Sequence, residues 1–200
     1  MKRLLLLMFA FLLLLPIEAN SQRKRNQKLT STEKVSLNAF KFRNIGPAFL
    51  SGRISDIAIH PENENTWYIT AGSGGVWMTD NAGTTWNPIF DNETSYSIGA
   101  IASDTSNTNI IWVGTGENVG GRHVAYGDGI YKSSDAGKSW TNMGLKKSEH
   151  ISKIIVHPNN SDVVWVAVQG PLWSSGGERG LYKTVDGGKN WYKTLGNSEW

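Results

Sequence analysis

The chain has 200 residues, a formal net charge of +3, 22 glycines, 9 tryptophans and no cysteine. The absence of cysteine excludes a disulfide framework, a thiolate zinc site and an iron–sulfur cluster. With 39% hydrophobic and 18% charged residues the composition is that of a globular chain long enough for one good core, and it disfavours disorder and a coiled coil.

The N-terminal residues have the order of a secretory signal peptide. Lys2 and Arg3 precede an apolar run from Leu4 to Leu15, and Ala19 supplies a small residue for cleavage. That run is too short to cross a hydrocarbon layer of roughly 30 Å, so we expect no membrane span after cleavage. We predict a signal peptide over 1–19 and a protein that is secreted, periplasmic or held at the cell surface. Export without disulfides suits a bacterium.

Residues 20–39 are polar and basic, and we interpret them as a solvated linker. The 166 residues after residue 34 contain 13 basic and 15 acidic side chains. The sequence pI of about 9.1 therefore comes from the leader and the linker. Because nucleic-acid binding needs positive charge on a folded face, we expect no nucleic-acid partner.

Residues 40–200 contain an internal repeat. An octapeptide occurs three times, and its closing tryptophans, Trp86, Trp140 and Trp191, lie 54 and then 51 residues apart. Each octapeptide follows a Gly-x-aromatic triplet, and two β-branched and aromatic stretches lie farther upstream, the second of them marked by Trp67, Trp112 or Trp165. Each unit therefore predicts four short strands. No window sustains a period of 3.6, so we expect no helix after the signal peptide.

Four-stranded units at this period predict an all-β fold, a β-propeller with about three blades over 53–90, 98–143 and 151–195. The octapeptide falls between the third and fourth strands, where Asp or Asn, Gly and Trp suit a tight hairpin. We assign structural roles in these hairpins to Asn81, Gly83, Trp86, Asp135, Gly137, Trp140, Asp186, Gly188 and Trp191.

The octapeptides resemble the Asp box, or bacterial neuraminidase repeat, of sialidases, xyloglucanases and sortilin-type propellers. The first octapeptide departs from the pattern, since Asn81 stands in the Asp position. The segments Phe42 to Pro47, Gly52 to Asp56 and Gly74 to Trp77 resemble the sortilin N-terminal propeller family as it occurs in secreted bacterial proteins, often labelled glycosyl hydrolases. The resemblance implies a propeller whose Asp boxes lie on the rim, away from the ligand face.

The loops that break the repeat predict the binding surface. In a propeller, the loops between strands two and three share one face with the loops that lead into each blade. Long insertions at 117–128 and 169–179 lie in the first class, and the second class adds Arg53, Glu93, Tyr96, Glu149 and His150. The predicted ligand-binding residues are Arg53, Arg122, His123, Tyr126, Trp173 and Arg179.

Two functions of different classes stay open. The resemblance to sortilin implies a binding propeller that holds a peptide, an extracellular protein or a glycan. The alternative is an O-glycosyl hydrolase of xyloglucanase or sialidase type, for which Glu117, Asp128 and Glu178 offer the two carboxylates that the reaction needs. The sequence assigns no acid and base roles among these three. We predict no cofactor and no metal.

The number of blades predicts that blade faces need a further partner. Propellers typically close with four to eight blades, whereas the repeat occurs three times. An open arc would leave an apolar blade face without a neighbour. We therefore expect an N-terminal fragment of a longer chain, with the remaining blades as its partner, or else oligomerisation that covers the face.

Overall fold

The structure is a computed structural model that describes residues 52–119 and 124–196, all within the compact unit Asn44–Trp200. The predicted signal peptide and linker lie outside the described residues, as do Arg122 and His123. The described part contains twelve β-strands and no helix, which confirms the all-β prediction.

The twelve strands form three four-stranded antiparallel sheets, each a meander whose strands neighbour one another in chain order. We call the sheets blades 1 to 3. Blade 1 contains β1 (Ile54–His60), β2 (Asn63–Ala71), β3 (Gly75–Thr79) and β4 (Asn87–Pro88). Blade 2 contains β5 (Ile98–Ser103), β6 (Ile111–Thr115), β7 (Ile130–Ser133) and β8 (Thr141–Asn142). Blade 3 contains β9 (Ile151–His157), β10 (Asn160–Val168), β11 (Gly180–Thr184) and β12 (Tyr192–Leu195).

The hydrophobic core lies between the blades, because every sheet has apolar side chains on both faces. One cluster joins blades 1 and 2 and includes Ala58, Tyr68, Val76, Ile101, Ile111, Val113 and Tyr131. A second cluster joins blades 2 and 3 and includes Trp112, Ile130, Ile154, Val164 and Val166. A single sheet cannot bury these side chains alone, so each blade depends on its neighbours for stability.

The strand register corrects one repeat position. The sequence pattern equates Trp67 with Trp112 and Trp165, but these residues do not lie on equivalent faces. Trp112 pairs with Ala102 and Trp165 with Ile155, whereas the equivalent partner in blade 1, Ala58, faces Tyr68. Tyr68 therefore takes the Trp112 position, and Trp67 lies on the opposite face of its blade.

The octapeptides form the hairpins between the third and fourth strands. Asp135 Oδ1 accepts the Ser139 N–H at 2.8 Å, and Asp186 Oδ1 accepts the Asn190 N–H at 2.9 Å. Asn81 makes the same bond to Thr85 at 2.9 Å, so an amide serves this turn as well as a carboxylate. The hairpins need glycine, as Gly137 shows with a φ of +88° and Ile89 within 2.7 Å of the position that a Cβ would take.

The octapeptide tryptophans connect neighbouring blades. Trp140 Nε1 of blade 2 donates to the Ile89 carbonyl of blade 1 at 2.7 Å, and Trp191 Nε1 of blade 3 donates to the Met143 carbonyl of blade 2 at 2.8 Å. Each acceptor follows the last strand of the preceding blade. Trp86 of blade 1 donates instead to Gly83 within its own hairpin, at 3.1 Å. The repeated tryptophan is therefore an interblade contact as well as a cover for the turn.

The two hairpin aspartates predict an acid limit to stability. Hydrogen bonds from Ser139 and Ser133 lower the pKa of Asp135 to about 2, and bonds from Asn190 and Thr184 lower the pKa of Asp186 to about 2. Since the unfolded value is 3.8, the stabilisation is complete above that pH and is lost as the pH falls towards 2. We expect Asp186→Asn, which imitates Asn81, to reduce the loss of stability in urea unfolding between about pH 5 and about pH 2. An unchanged acid dependence in this variant would contradict the prediction.

Candidate functional site

The loops that carry the predicted ligand residues meet at one end of the blades, which we call the loop end. In a four-stranded meander, the loop between the second and third strands lies at the same end as the connection to the next blade. Backbone hydrogen bonds join the two classes of loop: Gly75 N to Tyr96 O (2.9 Å), Gly127 N to Glu149 O (2.7 Å) and Glu178 N to Lys147 O (3.1 Å). The octapeptide hairpins lie at the opposite end.

Arg53 and Glu117 form an ion pair at the loop end, with Arg53 Nε 2.6 Å from Glu117 Oε1. The Glu117 side chain is only 3% exposed and that of Arg53 is 45% exposed, so the pair has a buried anion and a half-exposed cation. Gly72 makes room for the carboxylate, because a Cβ at residue 72 would overlap the Glu117 carboxyl group. A larger residue at position 72 would therefore displace Glu117.

Glu117 lies beside the residues that open all three blades. Arg53, Ser97 and His150 each stand directly before the isoleucine with which the first strand of a blade begins. The Glu117 N–H donates to Ser97 Oγ at 3.0 Å. His150 is fully buried, and burial lowers its pKa, although the Glu117 carbonyl and the Glu149 and Glu117 carboxylates oppose that shift. Glu117 therefore bonds the residues that precede the first strands of blades 1 and 2, and it lies near the one that precedes the first strand of blade 3.

Asp128 and Glu93 bring a pair of carboxyl groups to the loop end. Asp128 Oδ2 accepts hydrogen bonds from Thr94 Oγ1 and from the Tyr131 hydroxyl, the latter at 2.8 Å. The two hydroxyl donors fix the position of the Asp128 carboxyl group, and its Oδ2 atom accepts both hydrogen bonds. Burial, followed by repulsion from the Asp128 carboxylate, raises the pKa of Glu93. The pair thus contains one carboxyl group fixed by hydroxyl donors, Asp128, and one whose pKa is raised, Glu93.

Glu178 and Arg179 stabilise the long loop between β10 and β11. Glu178 Oε2 accepts the Lys147 N–H at 2.8 Å, which ties this loop to the connection between β8 and β9. Arg179 Nη2 donates to the carbonyls of Pro171 and Ser174, the latter at 3.2 Å. No hydrogen bond or ion pair among residues 52–119 and 124–196 joins Glu178 to Glu117 or Asp128. The three predicted catalytic carboxylates therefore belong to three separate networks.

Three aromatic side chains at the loop end are exposed. Trp173 is 68% exposed, and Tyr96 and Tyr126 expose similar fractions of their surfaces. Tyr126 still contacts His150, with ring centroids 5.4 Å apart. All three lie on loops at this end of the blades, which makes each of them a candidate for contact with a ligand.

No group of three or more His, Asp or Glu side chains among the described residues has the arrangement of a metal site. Within the same ranges, no helix has the length and apolar character that crossing a membrane requires. Sequence reasoning placed Glu93 at the loop end but not among the catalytic carboxylates. Nothing in its local sequence marks it, because the pairing with Asp128 arises only when two loops meet.

No protein-family model matches this chain. Among curated proteins it is similar to a probable oligoxyloglucan-reducing end-specific xyloglucanase of Neosartorya fischeri, with 27% identity over 153 aligned residues; the match covers 68% of this chain and 17% of that protein. It is also similar to a xyloglucanase of Hypocrea jecorina, with 32% identity over 94 residues, which cover 46% of this chain and 10% of that protein. The chain thus spans less than a fifth of the length of these relatives.

Solved structures show the same fold. An ancestral GH74 enzyme has a TM-score of 0.56 and 21% identity, covering 73% of this chain and 19% of its own. The Niastella koreensis GH74 enzyme has a TM-score of 0.53 and 24% identity over 70% of this chain and 21% of its own. YCF48 bound to D1 peptide has a TM-score of 0.50 and 16% identity over 71% of this chain and 40% of its own. The described sheets are therefore blades of a β-propeller, and the chain is similar in sequence to xyloglucanases.

Proposed function

We propose that the loop end binds a polysaccharide of the xyloglucan class. The observation that carries this proposal is the group of exposed aromatic rings, Tyr96, Tyr126 and Trp173, on loops that also present Arg53 and Asp128. An aromatic face packs against the apolar face of a sugar ring, while charged and amide groups bond its hydroxyls. The similarity to xyloglucanases supports a neutral glucan as the ligand.

Export, as predicted from the leader, would bring this end into contact with polysaccharide outside the cell. A sortilin-type ligand, an extracellular peptide or protein, would use the same exposed rings. Direct binding measurements distinguish the two ligand classes. Competition between a glucan and a peptide would show that both occupy the loop end.

The test is titration of the full chain with xyloglucan, mixed-linkage glucan, xylan and a panel of unstructured peptides. We expect xyloglucan to bind and Trp173→Ala to weaken binding about tenfold, the effect of losing about 1.4 kcal/mol of stacking. Tyr192→Ala is the control, since Tyr192 is 58% exposed on β12 and lies outside the loop end. Binding of peptides and of no glucan would overturn the polysaccharide proposal in favour of the sortilin-type one.

Hydrolysis is the second candidate function, and the Glu93–Asp128 pair is the observation that favours it. A glycosidase needs one carboxyl group that keeps a proton for the leaving oxygen and one ionised carboxylate. The raised pKa of Glu93 and the hydroxyl donors on Asp128 fit these two roles. The test is to measure the release of reducing ends from each polysaccharide in the same series. Release that is lost in the Glu93→Gln variant would support hydrolysis. Binding of a polysaccharide without release of reducing ends would instead support a binding protein.

A further inference from the structure

A cavity of about 250 Å³ lies where blades 2 and 3 meet, at the end that holds the octapeptide hairpins, and we call it the hairpin cavity. Its lining includes Lys132 and Met143 of blade 2 and Asp162, Asp186, Gly187 and Lys189 of blade 3. Two cationic and two anionic side chains therefore share one cavity. It lies at the opposite end of the blades from the loop end, so it takes no part in the function proposed above.

Gly187 leaves a space beside two of these charged side chains. A Cβ at residue 187 would lie 2.9 Å from Asp162 Oδ1 and 3.2 Å from Lys132 Nζ, both closer than ordinary contacts. The carboxylate and the ammonium therefore border the same small space. In residues 52–119 and 124–196 no ion pair joins them. The space can thus admit a group that bonds to both.

The turn itself does not need glycine at residue 187. Ala82 and Ala136 hold the equivalent position in the other two octapeptides, with φ angles of +55° and +58°. Gly187 has a similar φ of +70°. Because alanine takes this conformation twice in the same fold, the distinctive effect of Gly187 is the absence of a methyl group beside Lys132 and Asp162.

The seam between blades 1 and 2 has other residues at these three positions, namely Met78, Asn109 and Ala136. Backbone hydrogen bonds establish the equivalence, since Gly187 N donates to the Asp162 carbonyl at 3.0 Å and Ala136 N donates to the Asn109 carbonyl at 2.9 Å. Met78 packs against the core cluster that joins blades 1 and 2. Of the two seams that the structure describes, that of blades 2 and 3 alone combines the charged pair with the missing methyl group.

Lys132 and Asp162 have bonding capacity to offer a ligand. The Asp186 carboxylate is engaged, because it accepts hydrogen bonds from within its own octapeptide. In the described part of the chain no donor bonds the Asp162 carboxylate. Lys132 Nζ makes one long hydrogen bond, 3.4 Å to the Gly187 carbonyl, and an ammonium group has three donors. The cavity therefore presents one acceptor and one donor on either blade of the seam.

The charge and the size of the hairpin cavity select the ligand. Its two lysines and two aspartates balance, so neither an anion nor a cation is favoured. A hydroxyl group both accepts from an ammonium and donates to a carboxylate. About 250 Å³ is below the roughly 300–1,000 Å³ of sites for drug-sized ligands, which suits a single sugar ring. We propose that the hairpin cavity binds one unit of a neutral carbohydrate, whose hydroxyls bond Lys132 and Asp162 while Met143 supplies an apolar contact.

Saturation-transfer NMR of the full chain with glucose, xylose and galactose, followed by titration, tests this site. All variants carry Trp173→Ala as well, so that the loop end contributes little. We expect these sugars to bind and Gly187→Ala to weaken binding at least about tenfold, because its methyl group takes the space that a hydroxyl would use. Asp162→Asn should also weaken binding, since it removes the anionic acceptor. The control is Ala136→Gly, the reverse exchange in the neighbouring seam, which should leave binding unchanged.

Both site variants should unfold in urea much as their parent does, because alanine and asparagine hold these positions in the neighbouring blade. If Gly187→Ala failed to fold, Asp162→Asn would still decide the question. No sugar binding at about 50 mM, or binding that both variants leave unchanged, would overturn the proposal. Binding of a zwitterionic amino acid and of no sugar would overturn it as well. Xyloglucan in the same Trp173→Ala background separates the two sources of a sugar unit, since a free sugar site would bind the monosaccharides alone.

Discussion

Gly116→Ala should destabilise the propeller by about 3 kcal/mol or more. Gly116 follows β6 with a φ of +84°, a conformation that costs a residue with a Cβ about 1 kcal/mol. The methyl group would also overlap the Glu149 carbonyl oxygen, which is backbone and already accepts the Gly127 N–H at 2.7 Å. Glu149 itself has a φ of +53°, so this connection has little freedom to retreat.

Gly176→Ala separates the two causes. Gly176 has a φ of +96°, similar to that of Gly116, but no heavy atom of residues 52–119 and 124–196 beyond its chain neighbours lies within 4 Å of the position that a Cβ would take. We expect urea unfolding to show a loss of about 1 kcal/mol for Gly176→Ala, the cost of the backbone conformation alone. Equal losses for the two variants would contradict this prediction. They would mean that the backbone of blades 2 and 3 near Gly116 moves apart to accept the methyl group at little cost.

Much of the fold follows from local sequence because the repeat unit is local. The hairpin at Asp135 needs only residues within its own octapeptide, and the strands on either side are set by short apolar stretches. The wrong placement of Trp67 shows where this reasoning ends. Trp67 and Tyr68 are adjacent aromatic residues, and a shift of one position exchanges the two faces of a strand. Only the pairing of β2 with β1 decides which of them faces blade 2.

The sequence predicts which residues lie at the loop end, but it does not predict which of them pair with one another. The meander topology puts Arg53, Glu117 and Asp128 at one end, and the sequence shows that much. Whether Glu117 meets Arg53 or another carboxylate depends on Gly72, which leaves the space that the carboxylate fills. A residue without a side chain gives no chemical signal of that kind in a sequence. The Glu93–Asp128 pair is hidden for the same reason, since it exists only through the packing of two loops.

The Arg53–Glu117 pair predicts an asymmetric response to mutation. Arg53→Met leaves a carboxylate that is 3% exposed without its cation, and we expect a loss of about 2 kcal/mol or more. Glu117→Gln leaves a cation that is 45% exposed to water, so its loss should be about 1 kcal/mol. The double variant should be more stable than Arg53→Met alone, because it removes the stranded charge.

Urea unfolding of the four proteins in this cycle measures the asymmetry, with Lys153→Met as the control. Lys153 pairs with Asp56 at 3.3 Å, but its side chain is 58% exposed, so breaking that pair should cost less than about 1 kcal/mol. A larger loss for Glu117→Gln than for Arg53→Met would contradict the role given to the buried carboxylate. The Glu117 carboxylate would then act mainly through its charge beside His150 rather than as the anion of an ion pair with Arg53.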